Sequence, residues 1–324
     1  MAIRFSHIAL LFGALSLASP LAAQDDDAEQ VEAPAPTPEQ VLAAAPAEHW
    51  LPIPVGDLMV FELEPDADGN DRRVIIQLLP AAYSGGHVRN VRKLAALKWW
   101  DDAVIYRVAE NFVTQFGGSQ VGKTVPEALE TVPESEYYNA AIGEKMAIDM
   151  AALEEARAYS NEYQGTEIKP LMKTIFENYG AKVGFADGWP TGIKDGKAYP
   201  LMCRGSLSPA HYAPPDTGPG TELSIITGEE ARGLDTEFGN IGRVIEGLEH
   251  VRNLPLGDKD LGFYSDESMF VPIKSVYMAA TLPPEEQPQF EYLASYSPSL
   301  LQYIAAHDEW GNICTVDVPI RRRP

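Results

Sequence analysis

The stretch Ile105-Tyr-Arg-Val-Ala-Glu-Asn-Phe-Val-Thr-Gln-Phe-Gly-Gly118 sets one arginine, Arg107, among apolar neighbours. Phe112 follows five residues on and Gln115 eight residues on. In a regular strand alternate side chains share a face, so Arg107 and Ile105 are expected to point together. A cation flanked by Ile105, Val108, Phe112 and Val113 reads as a hydrogen-bond donor set into an apolar cleft. A buried charge is costly unless it is paired or used.

Outward from this stretch the chain is written in short β-branched and apolar runs. Asp57–Leu63 and Arg73–Leu79 flank the turn-forming Asp66-Ala-Asp-Gly-Asn-Asp71 and predict a hairpin. Ser84 is a candidate helix cap, followed from Gly86 by Val88, Val91, Leu94, Ala95 and Leu97 at helical spacing. Strands are then expected at 104–108, 112–116, 201–207, 222–227, 241–244 and 273–279, with a second helix over 245–254 stopped by Pro255. Many short strands with two helices point to a mainly β fold, a closed antiparallel barrel without exposed edges. Trp99-Trp100 is read as core packing.

The quoted stretch is similar to the signature F-H-R-[VI]-x-x-x-F-x-x-Q-G-G of cyclophilin-type peptidyl-prolyl isomerases, and the likeness runs from about Asp57 to Ala279. The resemblance implies an eight-stranded barrel with two capping helices that isomerises prolyl bonds without a cofactor or metal. On that resemblance Arg107 is the catalytic arginine and Gln115 the residue that orients it. Phe112, Val113 and Leu234 line the proline pocket. Gly205-Ser-Leu-Ser-Pro-Ala210 resembles G-x-L-S-M-A, Gly220-Thr-Glu-Leu-Ser-Ile225 resembles G-S-Q-F-F-I, and Gly242–Leu248 resembles G-x-V-x-x-G-[ML].

Several positions depart from the family pattern. Tyr106 stands where histidine is usual. Glu222 replaces a substrate-binding glutamine, Ser224 the phenylalanine of the pocket floor, and Gly233 a common tryptophan. Phe238 falls near the usual histidine and is a candidate to refill the floor. These departures leave two functions open: an isomerase that assists the folding of exported proteins, or a weakly active peptide-binding module.

Residues 1–23 have the order of a cleaved signal peptide: Arg4, an apolar run from Ile8 to Ala18, and Leu21-Ala-Ala23. Export to a periplasm is therefore expected. The run is too short for a stable membrane span, which needs about 20 apolar residues. Residues 24–49, rich in Asp, Glu, Ala and Pro, read as a linker. The barrel domain is expected over 50–280, interrupted at about 119–195 by a helical insertion with helices over 138–163 and 167–179. Residues 281–324 form a C-terminal extension, helical near 300–306.

The formal charge of −22 argues against nucleic acid and anionic membranes as partners. Removing the signal, and with it Arg4, makes it −23, that is −22 − 1. The two cysteines, Cys203 and Cys314, can form a bridge in an oxidising compartment or remain buried thiols, and their spacing fits no metal site. Gly117-Gly-Ser-Gln-Val-Gly-Lys-Thr124 matches the phosphate-loop pattern, but Pro126 and Pro133 deny it the sustained helix that phosphate binding uses. Nucleotide is therefore not expected as a ligand. His87, His211, His250 and His307 show no ligand spacing and read as surface or helix-end residues.

Overall fold

A computed structural model describes residues 35–144, 177–178, 181–229, 231–295, 297–307 and 313–323. The expected signal peptide, residues 24–34 of the expected linker, and most of the two expected insertion helices lie outside the described residues. In chain order the strands are β1 (Trp50–Pro52), β2 (Leu58–Leu63), β3 (Arg72–Leu78), β4 (Val104–Val108), β5 (Val113–Gly117), β6 (Glu177–Asn178), β7 (Ala181–Ala186) and β8 (Trp189–Lys194). They continue with β9 (Lys197–Pro200), β10 (Ser206–Pro209), β11 (Leu223–Ile226), β12 (Gly242–Glu246), β13 (Val271–Met278), β14 (Phe290–Leu293) and β15 (Ile320–Arg322). The helices are α1 (Pro38–Ala44), α2 (Ala81–Ala96), α3 (Glu249–Arg252) and α4 (Pro298–Ala305).

Eight of these strands close a barrel in the order β10-β11-β5-β4-β13-β2-β3-β12, every pair antiparallel. The expected eight-stranded barrel is borne out. Its interior is filled by Met59, Phe61, Val74, Ile76, Ile105, Phe116 and Leu207, all buried, with the Phe61 and Phe116 rings 4.7 Å apart. Val91 and Leu94 of α2 and Val251 of α3 join the same core. Both Trp99 and Trp100 are buried in it and donate their indole N–H to the Thr221 carbonyl.

The two capping helices differ from expectation in extent. α2 begins at Ala81 behind Pro80, one turn before the expected start near Ser84 and Gly86. α3 spans four residues, because the β12–β3 ladder takes residues 245 and 246 and Gly247 then turns the chain at φ 83°. A side chain at Gly247 would collide with the Arg73 carbonyl, so only glycine lets the two segments approach. His87 is not a surface residue. It is fully buried in α2 beside the Tyr137 ring, and burial together with nearby His211 draws its pKa down to about 4.

The described residues at the end of the insertion form β-sheet. Residues 140–144 begin a helix as expected, while residues 177–178, the only described part of the expected second helix, form β6, which pairs with β7 in the four-stranded sheet β6-β7-β8-β9. Two Asp-Gly pairs, Asp187-Gly188 and Asp195-Gly196, close its hairpins with both residues at positive φ. That is the two-residue turn whose twist matches paired strands.

The expected linker is partly folded. Thr37 and Gln40 form a capping box, Pro38 opens α1, and Val41 is buried. The C-terminal extension pairs with the start of the domain in the sheet β1-β14-β15. Trp50, Val183, Phe185, Tyr199, Leu201, Leu293, Leu300, Ile304 and Val316 make a second core, to which the bonded Cys203 and Cys314 belong.

The Cys203–Cys314 bond closes 111 residues of sequence separation, the bridged alternative of the two that the sequence left open. Replacing both cysteines by serine is expected to lower the unfolding free energy by about 2–4 kcal/mol, read as a reduced urea midpoint. An unchanged midpoint would mean that the bond adds nothing to stability.

Candidate active site

The β4–β5 ladder skips one step between Ile105, which pairs with Phe116, and Arg107, which pairs with Gln115. This bulge leaves Tyr106 as the extra residue and turns two consecutive side chains outward. Ile105 and Val108 remain in the barrel core, whereas Tyr106 and Arg107 both line a cavity on the barrel's outer face. The expectation that Arg107 and Ile105 share a face is thereby corrected.

That cavity has a volume of about 730 Å³. It brings together every residue the sequence nominated for catalysis or substrate binding: Arg107, Gln115, Phe112, Val113, Glu222, Ser224, Leu234 and Phe238. They reach it from β4, β5, β11 and the turn around Leu234. Sequence reading missed Tyr106, Met202, His211, Tyr212, Leu261 and Phe263 as lining residues.

Arg107 is held from three sides. Its Nε donates to the Leu261 carbonyl at 2.8 Å and its Nη1 to Gln115 Oε1 at 3.0 Å. Its guanidinium lies 5.1 Å from the Phe263 ring centre and 5.7 Å from that of Phe112. Nη2 makes no hydrogen bond among the described residues. Burial pulls the arginine's pKa below its ordinary value, yet Arg107 has no ion-pair partner among the described residues.

The Leu261 carbonyl is presented by a loop under constraint. Leu261 sits at φ 63°, a left-handed conformation that costs a non-glycine residue about 1–2 kcal/mol. Its side chain is 73% exposed on the cavity rim. Hydrogen bonds from Gly257 to Val108 and from Tyr264 to Tyr106 clamp the loop's two ends to β4.

From Gln115 a hydrogen-bond chain runs inward. Gln115 Nε2 donates to the Tyr106 hydroxyl at 2.7 Å, and that hydroxyl donates to Glu222 Oε2 at 2.8 Å. Glu222 Oε1 accepts from the Gly118 and Ser119 amides at 3.1 and 3.0 Å. Burial holds the Glu222 carboxyl above the usual carboxylate range, against the lowering effect of these donors. Tyr106 is raised far above an ordinary phenol by burial first and the Glu222 charge second.

The apolar side of the cavity is a cluster of Val113, Met202, Ile226 and Ala231, with Leu234 and Phe238 packed against it. Met202 is fully buried, and Asp235 Oδ1 accepts its amide at 2.8 Å. Phe238 also stacks on His211, ring centres 4.3 Å apart. A fixed cationic donor thus stands at one side of an apolar pocket.

The sequence model described as cyclophilin-type peptidyl-prolyl cis-trans isomerase/CLD matches residues 69–277. The chain belongs to this family. Among solved structures it is similar to the cyclophilin AquaCyp293 of Hirschia baltica, with a TM-score of 0.61 and 19% identity over 88% of this chain and 96% of that one. A Cryptosporidium parvum cyclophilin-type isomerase solved in the presence of the dipeptide Ala-Pro gives a TM-score of 0.37 and 14% identity, over 68% of this chain and 98% of that one. No curated protein matches the chain.

Within the cyclophilin frame the departures are coupled. A tyrosine at 106 reaches Glu222, and the apolar surface absent at Ser224 is supplied by Met202, Ile226 and Phe238. The phosphate-loop pattern is also accounted for. After Gly117-Gly118 only the short turn Ser119–Val121 follows, and the Gly118 and Ser119 amides already bind Glu222. Gly117 is required there, since a Cβ would fall about 2 Å from the Glu222 carboxylate.

The direction of the chain follows from Glu222. An ionised carboxylate only accepts, so Tyr106 must donate to it, Gln115 must donate to Tyr106, and Gln115 Oε1 is left for Arg107. Glu222→Gln allows the opposite direction and is expected to destabilise the fold by about 1–3 kcal/mol. Adding Gln115→Glu restores an acceptor for both Tyr106 and Arg107, so the double variant should recover most of that loss in urea denaturation. Additive losses in the two variants would show that the groups are not coupled.

Proposed function

We propose that this cyclophilin catalyses cis-trans isomerisation of peptidyl-prolyl bonds in extended polypeptides. The observation that carries the reading is Arg107, held by Leu261 and Gln115 with Nη2 uncommitted, beside the Val113–Met202–Ile226 pocket. Rotation about the prolyl bond crosses a barrier of about 18–20 kcal/mol, because the amide nitrogen shares its lone pair with the carbonyl. A guanidinium N–H donated to that nitrogen favours the twisted, pyramidal state. The apolar pocket holds the proline ring while the preceding carbonyl turns. Since Arg107 is oriented before substrate arrives, its donation needs little reorganisation.

The rim suits an unfolded chain. Phe112, Val125, Tyr212 and Leu261 are exposed apolar side chains around one opening. One observation favours the second reading, a polypeptide-binding module with slow turnover. Glu222 stands where the family's glutamine binds substrate backbone, and its oxygens are already engaged by Tyr106, Gly118 and Ser119.

We also propose that the protein acts after export. Residues 1–23 carry the pattern of a secretory signal, and the Cys203–Cys314 bond suits an oxidising compartment. Expressing the full chain in a bacterium and sequencing the N-terminus of the periplasmic product tests this. Cleavage after Ala23 is the expected result; retention of Arg4 in a cytoplasmic product would overturn it.

In a coupled assay on a proline tetrapeptide, Arg107→Ala is expected to lower kcat/KM by about 100-fold. Peptide binding with no turnover in either protein would leave the binding-module reading. The pH profile carries a second expectation. The Glu222 carboxyl is raised in the folded state, so it takes up a proton at a higher pH than an exposed glutamate. Activity should therefore fall as pH drops through that raised value, while Glu222→Gln should lose this acid limb. An identical acid limb in both would show that Glu222 does not govern Arg107.

A further inference from the structure

A second cavity, larger than the one around Arg107, lies where the barrel meets the second core and has a volume of about 910 Å³. One wall is β12 and α3 of the barrel, with Arg243, Val244, Ile245, Leu248 and Arg252. The facing walls are Leu42 of α1, Trp50, Trp189 of β8, and residues 316–321 near the C-terminus. Junctions of this kind are where proteins commonly place ligand pockets.

Its charge is anomalous for the chain. On a protein of net charge −22, four arginines (Arg204, Arg243, Arg252 and Arg321) line this cavity against two acids, Glu249 and Asp317. Arg204 is neutralised by Glu229 and Asp317, and Arg321 by Glu291. Arg243 and Arg252 form no ion pair among the described residues.

Arg243 is the centre of the site. Its Nε and Nη2 donate to Gln77 Oε1 at 3.0 and 2.8 Å, and its Nη1 donates to the Gly188 carbonyl at 2.8 Å. Both acceptors are neutral. The guanidinium lies 4.2 Å from the centre of a Trp189 ring. Although part of its surface opens to the cavity, it is removed far enough from bulk water that its pKa falls to about 9. This is a cation positioned by dipoles and an aromatic face; the nearest acid acting on it, Asp317, makes no ion pair with it and is bound to Arg204.

A second unmet demand lies in the same wall. The Trp50 indole N–H is buried and has no hydrogen-bond partner among the described residues, while its ring stacks under Arg321 at 3.8 Å. Buried donors are normally paired. A cation without a direct ion pair, an N–H without a partner among the described residues and two indole rings around one space describe a complementary ligand.

We propose that this cavity is a second binding site for a small organic anion, a carboxylate carried on an aromatic or branched apolar body. The carboxylate would meet Arg243, with Arg252 at the rim, and the apolar body would lie among Trp50, Trp189 and Leu248. The site is independent of the prolyl-isomerase reading, and its test uses no isomerase assay.

The full chain is titrated with the fluorescent anion anilinonaphthalene sulfonate, and benzoate is added as the competing carboxylate. Saturable fluorescence displaced by benzoate is expected, with affinity reduced about tenfold or more in Arg243→Gln. Arg252→Gln should weaken binding about threefold, and Arg107→Ala should leave it unchanged. Absence of saturable binding overturns the proposal. So does equal affinity in Arg243→Gln, or a loss confined to Arg107→Ala, which would place the probe in the other cavity. Should Arg243→Gln lose its cooperative thermal transition, Arg252→Gln decides alone, and an unchanged affinity there overturns the site.

Discussion

The hydrogen bond from the Tyr106 hydroxyl to the Glu222 carboxylate is the interaction on which the geometry around Arg107 depends. It ties β4 to the residue immediately before β11, a strand that does not pair with β4, across the intervening β5. Because a carboxylate has no proton to give, the bond has one direction only, and that direction propagates through Gln115 to Arg107. At its other end the same carboxylate fixes the Gly118 and Ser119 amides. Burial disfavours the charge on this carboxylate, and the three donors that converge on it work against that penalty. The strained carbonyl of Leu261 completes the constraint from the opposite side.

The bulge at Tyr106 is what makes this possible. In an unbroken ladder Tyr106 and Arg107 would face opposite sides of the sheet, and one of them would enter the barrel. The skipped step lets both face outward while Ile105 and Val108 stay within. The stacking of Tyr106 on Phe263, ring centres 6.2 Å apart, then holds the tyrosine beside the loop that also positions the arginine.

Much of this was legible in the sequence, for identifiable reasons. Barrel strands announce themselves through β-branched runs, and Arg107, Phe112 and Gln115 sit at fixed offsets within one such run, so their convergence needed only local register. What escaped was non-local. A skipped ladder step leaves no mark in composition, and the partnership of Tyr106 with Glu222 spans 116 residues. Met202, Leu261 and Phe263 enter the site from segments without a motif. The sheet at Glu177–Pro200 is a different case. Its Asp-Gly pairs at 187 and 195 were readable turn signals, overridden by the helix-rich composition that precedes them.

The appended elements are joined to the site rather than merely attached to the barrel. Met202, in the base of the Arg107 cavity, immediately precedes Cys203, whose disulfide partner Cys314 lies in the C-terminal extension. The Met202 amide is bound by Asp235, whose other oxygen pairs with the fully buried Arg232 at 2.5 Å. Asp235 in turn follows Leu234, a lining residue of the same cavity. Floor, lip and C-terminal extension therefore share one short run of covalent and charge-assisted bonds. Ser224 brings no large apolar side chain to this cavity, so its apolar base rests on a methionine whose place is set by that run. A barrel stripped of the extension would keep Arg107 and lose the covalent tie that fixes the apolar base of its cavity.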